Sequence, residues 1–228
     1  MKLLVVNDDG IDAEGIQTLF QAARSAGSPV MVAPASGQSG MSHAVTLEKG
    51  VRIDPRGEAQ YAVHGTPADC TRLALSSLAP DTRWVLSGIN HGGNLGADVH
   101  YSGTVAAVRE GALHGIPGIA FSQYRRRNLP LDWARALRWI RPLLGELLLK
   151  PVEPGLFYNV NLPHLDPTQP DPEVVECNLD SSPLPLQFRS EESLHFYSGE
   201  YQGRARKPGT DVDLCFSGKI TVSKLRLF

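Results

Sequence analysis

The sequence predicts an α/β protein built on a doubly wound, mostly parallel sheet. Three observations carry this expectation. Leu3–Val6 is a short, wholly apolar run of branched residues, the pattern of a strand covered on both faces. A stretch of helical period follows it, and Val30–Ala33 repeats the strand signal. Parallel neighbours need such a crossover, and the crossover is expected to be right-handed.

The first helix is read as Glu14–Ala26, because Ile16, Leu19, Phe20 and Ala23 recur at helical spacing and Gly27 stands where a helix C-cap belongs. After the second strand comes a Gly- and Ser-rich loop, "PASGQSGMSH", and then an expected hairpin, Val45–Ile53, turning at Lys49-Gly50. "HGTPADC" opens a helix with Thr66 as N-cap, Pro67 at the first helical position and Asp69 three residues after the cap. Trp84–Leu86 is a strand, Thr104–Leu113 a helix ended by Gly115, and Ile119–Phe121 a further strand. Trp133, Leu137, Ile140, Leu144 and Leu148 mark a long helix expected to be disturbed at Pro142, where an interior proline loses a backbone bond and clashes with the preceding turn. Phe157–Val160 is the last clear strand, and prolines crowd the chain beyond it.

The chain of 228 residues, 42% hydrophobic, suits a single domain, read as a catalytic core over 1–165 and a less regular appended region over 166–228 that contacts another subunit. A formal charge of −2 supplies no global field for duplex nucleic acid or an anionic membrane, so any phosphate recognition has to be local. Cys70, Cys177 and Cys215 lack disulfide or zinc spacing, and eighteen consecutive apolar residues occur nowhere. A cytoplasmic enzyme without a membrane span is the expectation.

Chemistry concentrates where predicted strands end. Val6 runs into Asn7-Asp8-Asp9, Ala33 into the loop carrying Ser39, and Leu86 into Ser87-Gly88-Ile89-Asn90. In an open parallel sheet, ligands lie outside the carboxyl ends of the strands, so these groups can converge. Carboxylate, hydroxyl and amide oxygens are hard donors suited to Mg²⁺, Mn²⁺ or Ca²⁺ rather than to zinc. Two adjacent carboxylates repel, a shared dication reverses that cost, and Gly10 permits the turn that lets both reach one ion directly or through water. "YSGTV" adds an anion cradle, in which a helix start exposes free N–H groups beside the hydroxyls of Ser102 and Thr104 and a flexible Gly103. A metal beside an anion cradle suggests phosphoryl chemistry. His43 and His91 lie inside the candidate loops, placed to shuttle protons or touch substrate, whereas His64, His100 and His114 are given packing or surface roles. Arg125–Arg127 is set aside as a solvated loop.

The stretches "NDDGIDAEGIQTL", "VMVAPASGQSGMSHAVTL", "GTPADC", "SGINHGGNLGADVHYSGTVAAVREG" and "GTD" resemble the SurE survival-protein family of metal-dependent 5′-nucleotidases and acid phosphatases. The likeness is dense to about residue 125 and returns at Asn159-Val160-Asn161 and Gly209-Thr210-Asp211. It implies that Asp8, Asp9, Ser39 and Asn90 hold one divalent ion per subunit, Mn²⁺ or Mg²⁺ foremost and Ca²⁺ or Co²⁺ as alternatives. It implies too that Asn94, Ser102, Gly103 and Thr104 line the phosphate site, and that the fold is a Rossmann-like doubly wound sheet with a projecting hairpin used in dimerisation. The substrate expected is a nucleoside 5′-monophosphate, with 3′-nucleotidase or polyphosphatase activity in addition. Asp8 or Asp9 is the expected base, with Asn94 counted among the catalytic residues. Two departures stand out: His43 replaces an expected asparagine, and the chain ends at Phe228 before the helical extension that relatives exchange, so a homodimer is expected. A covalent aspartyl-phosphate route ranks lower, because it pairs acids separated by one residue. The alternatives from other classes are a nonhydrolytic nucleotide sensor and a dinucleotide-dependent oxidoreductase, yet no GxGxxG follows the first strand.

Overall fold

In the computed structural model, which describes every residue except Arg127, Asn128 and Val152, β1 (Lys2–Val6) is an inner strand of a nine-stranded sheet. Arg127, the third residue of the basic triplet, thus lies outside the described residues. Leu3 and Val5 face one apolar core and Leu4 and Val6 the other, all fully buried, which is why the run has no polar alternation. Next come α1 (Glu14–Arg24) and β2 (Ser28–Pro34), parallel to β1. The helix stops two residues short of the expected Ala26, with Ser25 as C-cap.

The hairpin is displaced from the position expected for it. Residues 45–52 are irregular, and the antiparallel pair is β3 (Ile53–Gly57) with β4 (Gln60–Val63), turning at Glu58-Ala59. The physical reason is side-chain competition: the Thr46 N–H and hydroxyl bond the Asp69 carboxylate at 2.8 and 2.7 Å, which draws this segment onto the helix start and away from strand pairing. α2 (Pro67–Leu73) follows with the full Thr66–Asp69 capping box.

β5 (Trp84–His91), α3 (Gly103–Leu113), β6 (Gly118–Gln123), α4 (Trp133–Leu148) and β7 (Leu156–Leu162) complete the parallel body. β5 extends five residues past the expected end, which puts Asn90 on the strand. α4 is continuous through Pro142, contrary to the expected disturbance; Pro142 is exposed, while Ile140, Leu143, Leu144 and Leu147 anchor the helix in the core on both sides of it. β8 (Val174–Glu176) and β11 (Ile220–Arg226) join the sheet beyond β7, β11 antiparallel to it. β9 (Phe188–Glu191) and β10 (Leu194–Tyr197) form a separate two-stranded hairpin, and α5 (Asp211–Phe216) precedes β11.

The sheet order is β3-β4-β2-β1-β5-β6-β7-β11-β8. From β1 the chain moves outward to β2 on one side and later resumes from β5 on the other, so the boundary between β1 and β5 is the topological switch point. α1 and α4 pack in one core, α2 and α3 in the other. Consequently β6–α4–β7 steps across the sheet in the same direction as β5–α3–β6 but over the opposite face, giving a crossover of opposite hand. That placement lays the start of α4 beside α1, over the end of β5.

Candidate active site

At the carboxyl ends of β1 and β5, three separate stretches are fastened to Asp8 and Asp9. Gly10, at φ +102°, turns the chain out of the sheet; a Cβ there would lie 3.3 Å from the backbone of Ser36 and Gly37, so the two loops can approach only because it is glycine. The Asn7 carboxamide closes this turn by donating to the Gly10 carbonyl at 2.7 Å. The Gln38 N–H donates to the Asp8 carbonyl at 2.7 Å, which draws the Ser39 loop to the strand end. The His91 N–H donates to Asp9 Oδ2 at 3.0 Å, which brings the neighbouring Asn90 alongside. The Thr104 hydroxyl donates to Asp8 Oδ1.

Asp8 is 5% exposed, and its carboxyl is pushed up to about 6. Burial is the main cause; Thr104 opposes it, and the charge of Asp9 adds to it. Repulsion between the paired acids, the origin suggested by their adjacency, is therefore a secondary contribution. A cation held here would lower the proton affinity again.

α3 begins against this carboxylate. Ser102 caps it by accepting the Val105 N–H at 3.0 Å, while Ser102's own N–H is bound to the Asp98 carbonyl. The Thr104 N–H, like its hydroxyl, is turned toward the Asp8 carboxylate, and the Gly103 N–H has no partner among the described hydrogen bonds, so the positive end of the helix dipole faces the acid. A Cβ on Gly103 would sit 2.9 Å from Asp8 Cβ and 3.1 Å from Asp8 Oδ2. Helix start and acid therefore meet only because residue 103 has no side chain.

The donors expected of an ion here are mixed oxygen: two carboxylates, the Ser39 hydroxyl and the side-chain carbonyl oxygen of Asn90, whose amide nitrogen donates to the Gly92 carbonyl at 2.9 Å. Among the described residues no group of three or more His, Cys, Asp or Glu side chains clusters as a metal site, so an ion held here must rely on hydroxyl and amide oxygens besides Asp8 and Asp9. Those donors fit a hard divalent cation. Asn7 Oδ1, next to Asp8, is buried without a partner among the described residues.

Asn94 is placed differently from the groups above. Its Nδ2 donates to Ser122 Oγ at 2.7 Å, its N–H to Asn161 Oδ1 at 2.8 Å, and its carbonyl accepts from Asn159 at 2.7 Å and Asn161 at 3.0 Å. The buried Asn159 and Asn161 thus fix this turn. Ser39 is exposed and its side chain makes no hydrogen bond among those described. His91 is exposed, its ring stacked on Trp133 at 5.0 Å, while His43 binds Glu110 at 2.7 Å. Sequence reasoning missed the brace behind the cradle: Asp98 accepts from Arg204 at 3.0 Å and from the Tyr201 hydroxyl at 2.5 Å, and Asp211 accepts the Gly96 N–H at 2.7 Å. Residues 201–211 so hold the 3₁₀ turn, Gly96–His100, that leads into Ser102. "GTD" was the available signal, without a role attached.

These features define a Rossmann-like α/β protein in which paired acids meet a helix start at the switch point of the sheet. The family model "Survival protein SurE" matches residues 3–180. A Nostoc sp. protein named "Putative 5′-nucleotidase alr3139" is 48% identical over 227 residues, covering 100% of both chains. A "5′-nucleotidase SurE" of Rhizorhabdus wittichii is 43% identical over 236 residues, covering 99% of this chain and 93% of its own. The crystal structure of the SurE protein from Aquifex aeolicus superposes with a TM-score of 0.86 at 31% identity, covering 100% of this chain and 94% of the other. The chain belongs to the SurE family.

Proposed function

We propose that the protein is a divalent-metal-dependent phosphoric monoester hydrolase acting on nucleoside 5′-monophosphates. The observation that carries the reading is the meeting of Asp8 with the open N–H end of α3, whose closeness depends on Gly103. The names of the relatives support the same activity. Asp8, Asp9, Ser39 and Asn90 hold the ion, Mn²⁺ or Mg²⁺ in the first place, one per subunit. When bound, such an ion offsets phosphate charge and acidifies water. The Gly103 and Thr104 N–H groups hold the phosphate oxygens, Ser102 keeps that helix end in place, and Asn94 borders the phosphate from its fixed turn. Asp8 or Asp9 takes the proton from the attacking water.

The catalytic core spans 1–165, residues 166–228 make the subunit contact of a homodimer, and the protein works in the cytoplasm. No helix among the described residues is long and apolar enough to cross a membrane. Phosphate release from AMP, measured with and without chelator, tests the reading: chelator-sensitive release supports it, and tight AMP binding without release favours a sensor. Asp9→Asn is expected to abolish metal-dependent turnover with nearly unchanged melting, and full activity in that variant rules out Asp9 as a ligand. A panel including 3′-monophosphates and polyphosphate defines the range of substrates.

A further inference from the structure

The geometry points to Glu110 as a positioning residue that, through His43, holds the Ser39 loop in register with the anion cradle. The inference rests on the reading of Ser39 as a metal ligand. Residues 35–52 contain no helix or strand, a length of loop that generally serves function rather than mere connection. Apart from the Gln38 tie to Asp8, the loop reaches the cradle side through two adjacent residues. The Ser42 hydroxyl donates to the His100 carbonyl at 2.9 Å, just before α3, and His43 Nε2 meets Glu110 Oε2 at 2.7 Å, two turns into α3. Ser42 holds φ +50°, a left-handed conformation that a non-glycine residue keeps only where its surroundings over-determine it. The ties on either side of that bend supply the constraint.

Glu110 is 4% exposed although α3 is otherwise mostly apolar. Its second oxygen binds His114 at 3.0 Å and lies 3.9 Å from Arg72. Burial pushes the carboxyl up, but the hydrogen bonds from His43 and His114 outweigh it and hold the group below the usual range. A buried carboxylate is costly without such partners, and an apolar residue would serve packing alone. The same helix that begins the cradle therefore also carries the anchor of the loop opposite. Outer-shell partners of this kind typically change metal affinity by about 10–100-fold when removed.

The test is Mn²⁺ binding to purified, metal-stripped full-length protein, followed by the loss of the free-ion electron paramagnetic resonance signal, with kcat, KM and melting alongside. His43→Ala is expected to weaken Mn²⁺ binding about tenfold. His43→Gln, whose carboxamide N–H can reach Glu110, restores binding, and adding His43→Ala to Ser39→Ala weakens binding no further than Ser39→Ala alone. Parent-like binding in His43→Ala overturns the inference, as does a loss that His43→Gln fails to restore and that accompanies a lowered melting temperature. Asp9→Asn separates the layers. If it abolishes Mn²⁺ binding while His43→Ala does not alter it, only the positioning role falls; if Asp9→Asn and Ser39→Ala both bind as the parent does, the metal reading falls and the positioning role with it.

Discussion

Asp8 carries a charge that the fold resists, and this makes metal-free stability a direct probe of the site. The carboxyl is raised from 3.8 to about 6, so the folded state binds its proton more tightly than the unfolded chain does. For a raised acid the destabilisation is absent below the unfolded value, grows as pH rises from about 4 to 6, and is complete above that. At 1.36 kcal/mol per unit the cost above pH 6 is on the order of 3 kcal/mol. Asp8→Asn in chelator-treated protein is therefore expected to melt higher than the parent at pH 7.5, with the advantage gone at pH 4. Added Mn²⁺ should raise the melting temperature of the parent and not that of the variant. A variant melting below the parent at pH 7.5 would show that Asp8 is a net stabiliser. At this scale the approach of Asp8 and Asp9 to the end of β5 was legible because parallel strands end on one edge of the sheet, whereas the role of Glu110 was not. Its significance depends on His43, 67 residues away, and no local pattern reports that pairing.

At the scale of elements, the start of α3 makes the sharpest prediction. Alanine is the better helix former, so Gly103→Ala should favour the isolated helix by roughly 1 kcal/mol. In place, however, the added Cβ meets Asp8 Cβ at 2.9 Å, Asp8 Oδ2 at 3.1 Å and Pro67 Cγ at 3.2 Å, and the first and last of these are not the flexible ends of long side chains. Displacing the acid from the cradle by about an ångström is expected to lower kcat/KM about 100-fold, with secondary structure retained in far-ultraviolet circular dichroism; activity at the parent level would show that Asp8 and α3 need not touch. The parallel strands and the capped helices were readable because burial on two faces leaves an unbroken apolar run and because Thr66, Pro67 and Asp69 act locally. The hairpin was misplaced because Lys49-Gly50 has turn chemistry, yet Thr46 is held by Asp69, a preference that only the folded helix start can exert. β11 was missed for the opposite reason: Ser223 and Lys224 interrupt its apolar pattern, and its place is set by pairing with β7 rather than by its own composition.

The molecule as a whole leaves one element unsupported. Among the described residues β9 and β10 pair only with each other, and their four large apolar side chains stay open: Phe188 is 58% exposed, Leu194 61%, Phe196 40% and Tyr197 55%. An isolated two-stranded hairpin is marginal in water, and apolar side chains gathered on a projecting element ordinarily mark a contact with another protein. A second copy of the chain meets that need, because a two-fold contact lets one hairpin cover the other's apolar surface with the same residues. The hairpin also lies directly before Tyr201 and Arg204, which brace the turn leading into the anion cradle, so assembly and the site share a continuous segment. Leu194→Asp combined with Phe196→Asp places charge where that contact would exclude water, while both positions are already exposed in the single chain. The parent is expected to sediment as a dimer and to show a melting temperature that rises with protein concentration, and the double variant to sediment as a monomer whose melting is independent of concentration. A parent that sediments as a monomer at micromolar concentration would refute the dimer, and a double variant that remains dimeric would move the contact away from this hairpin.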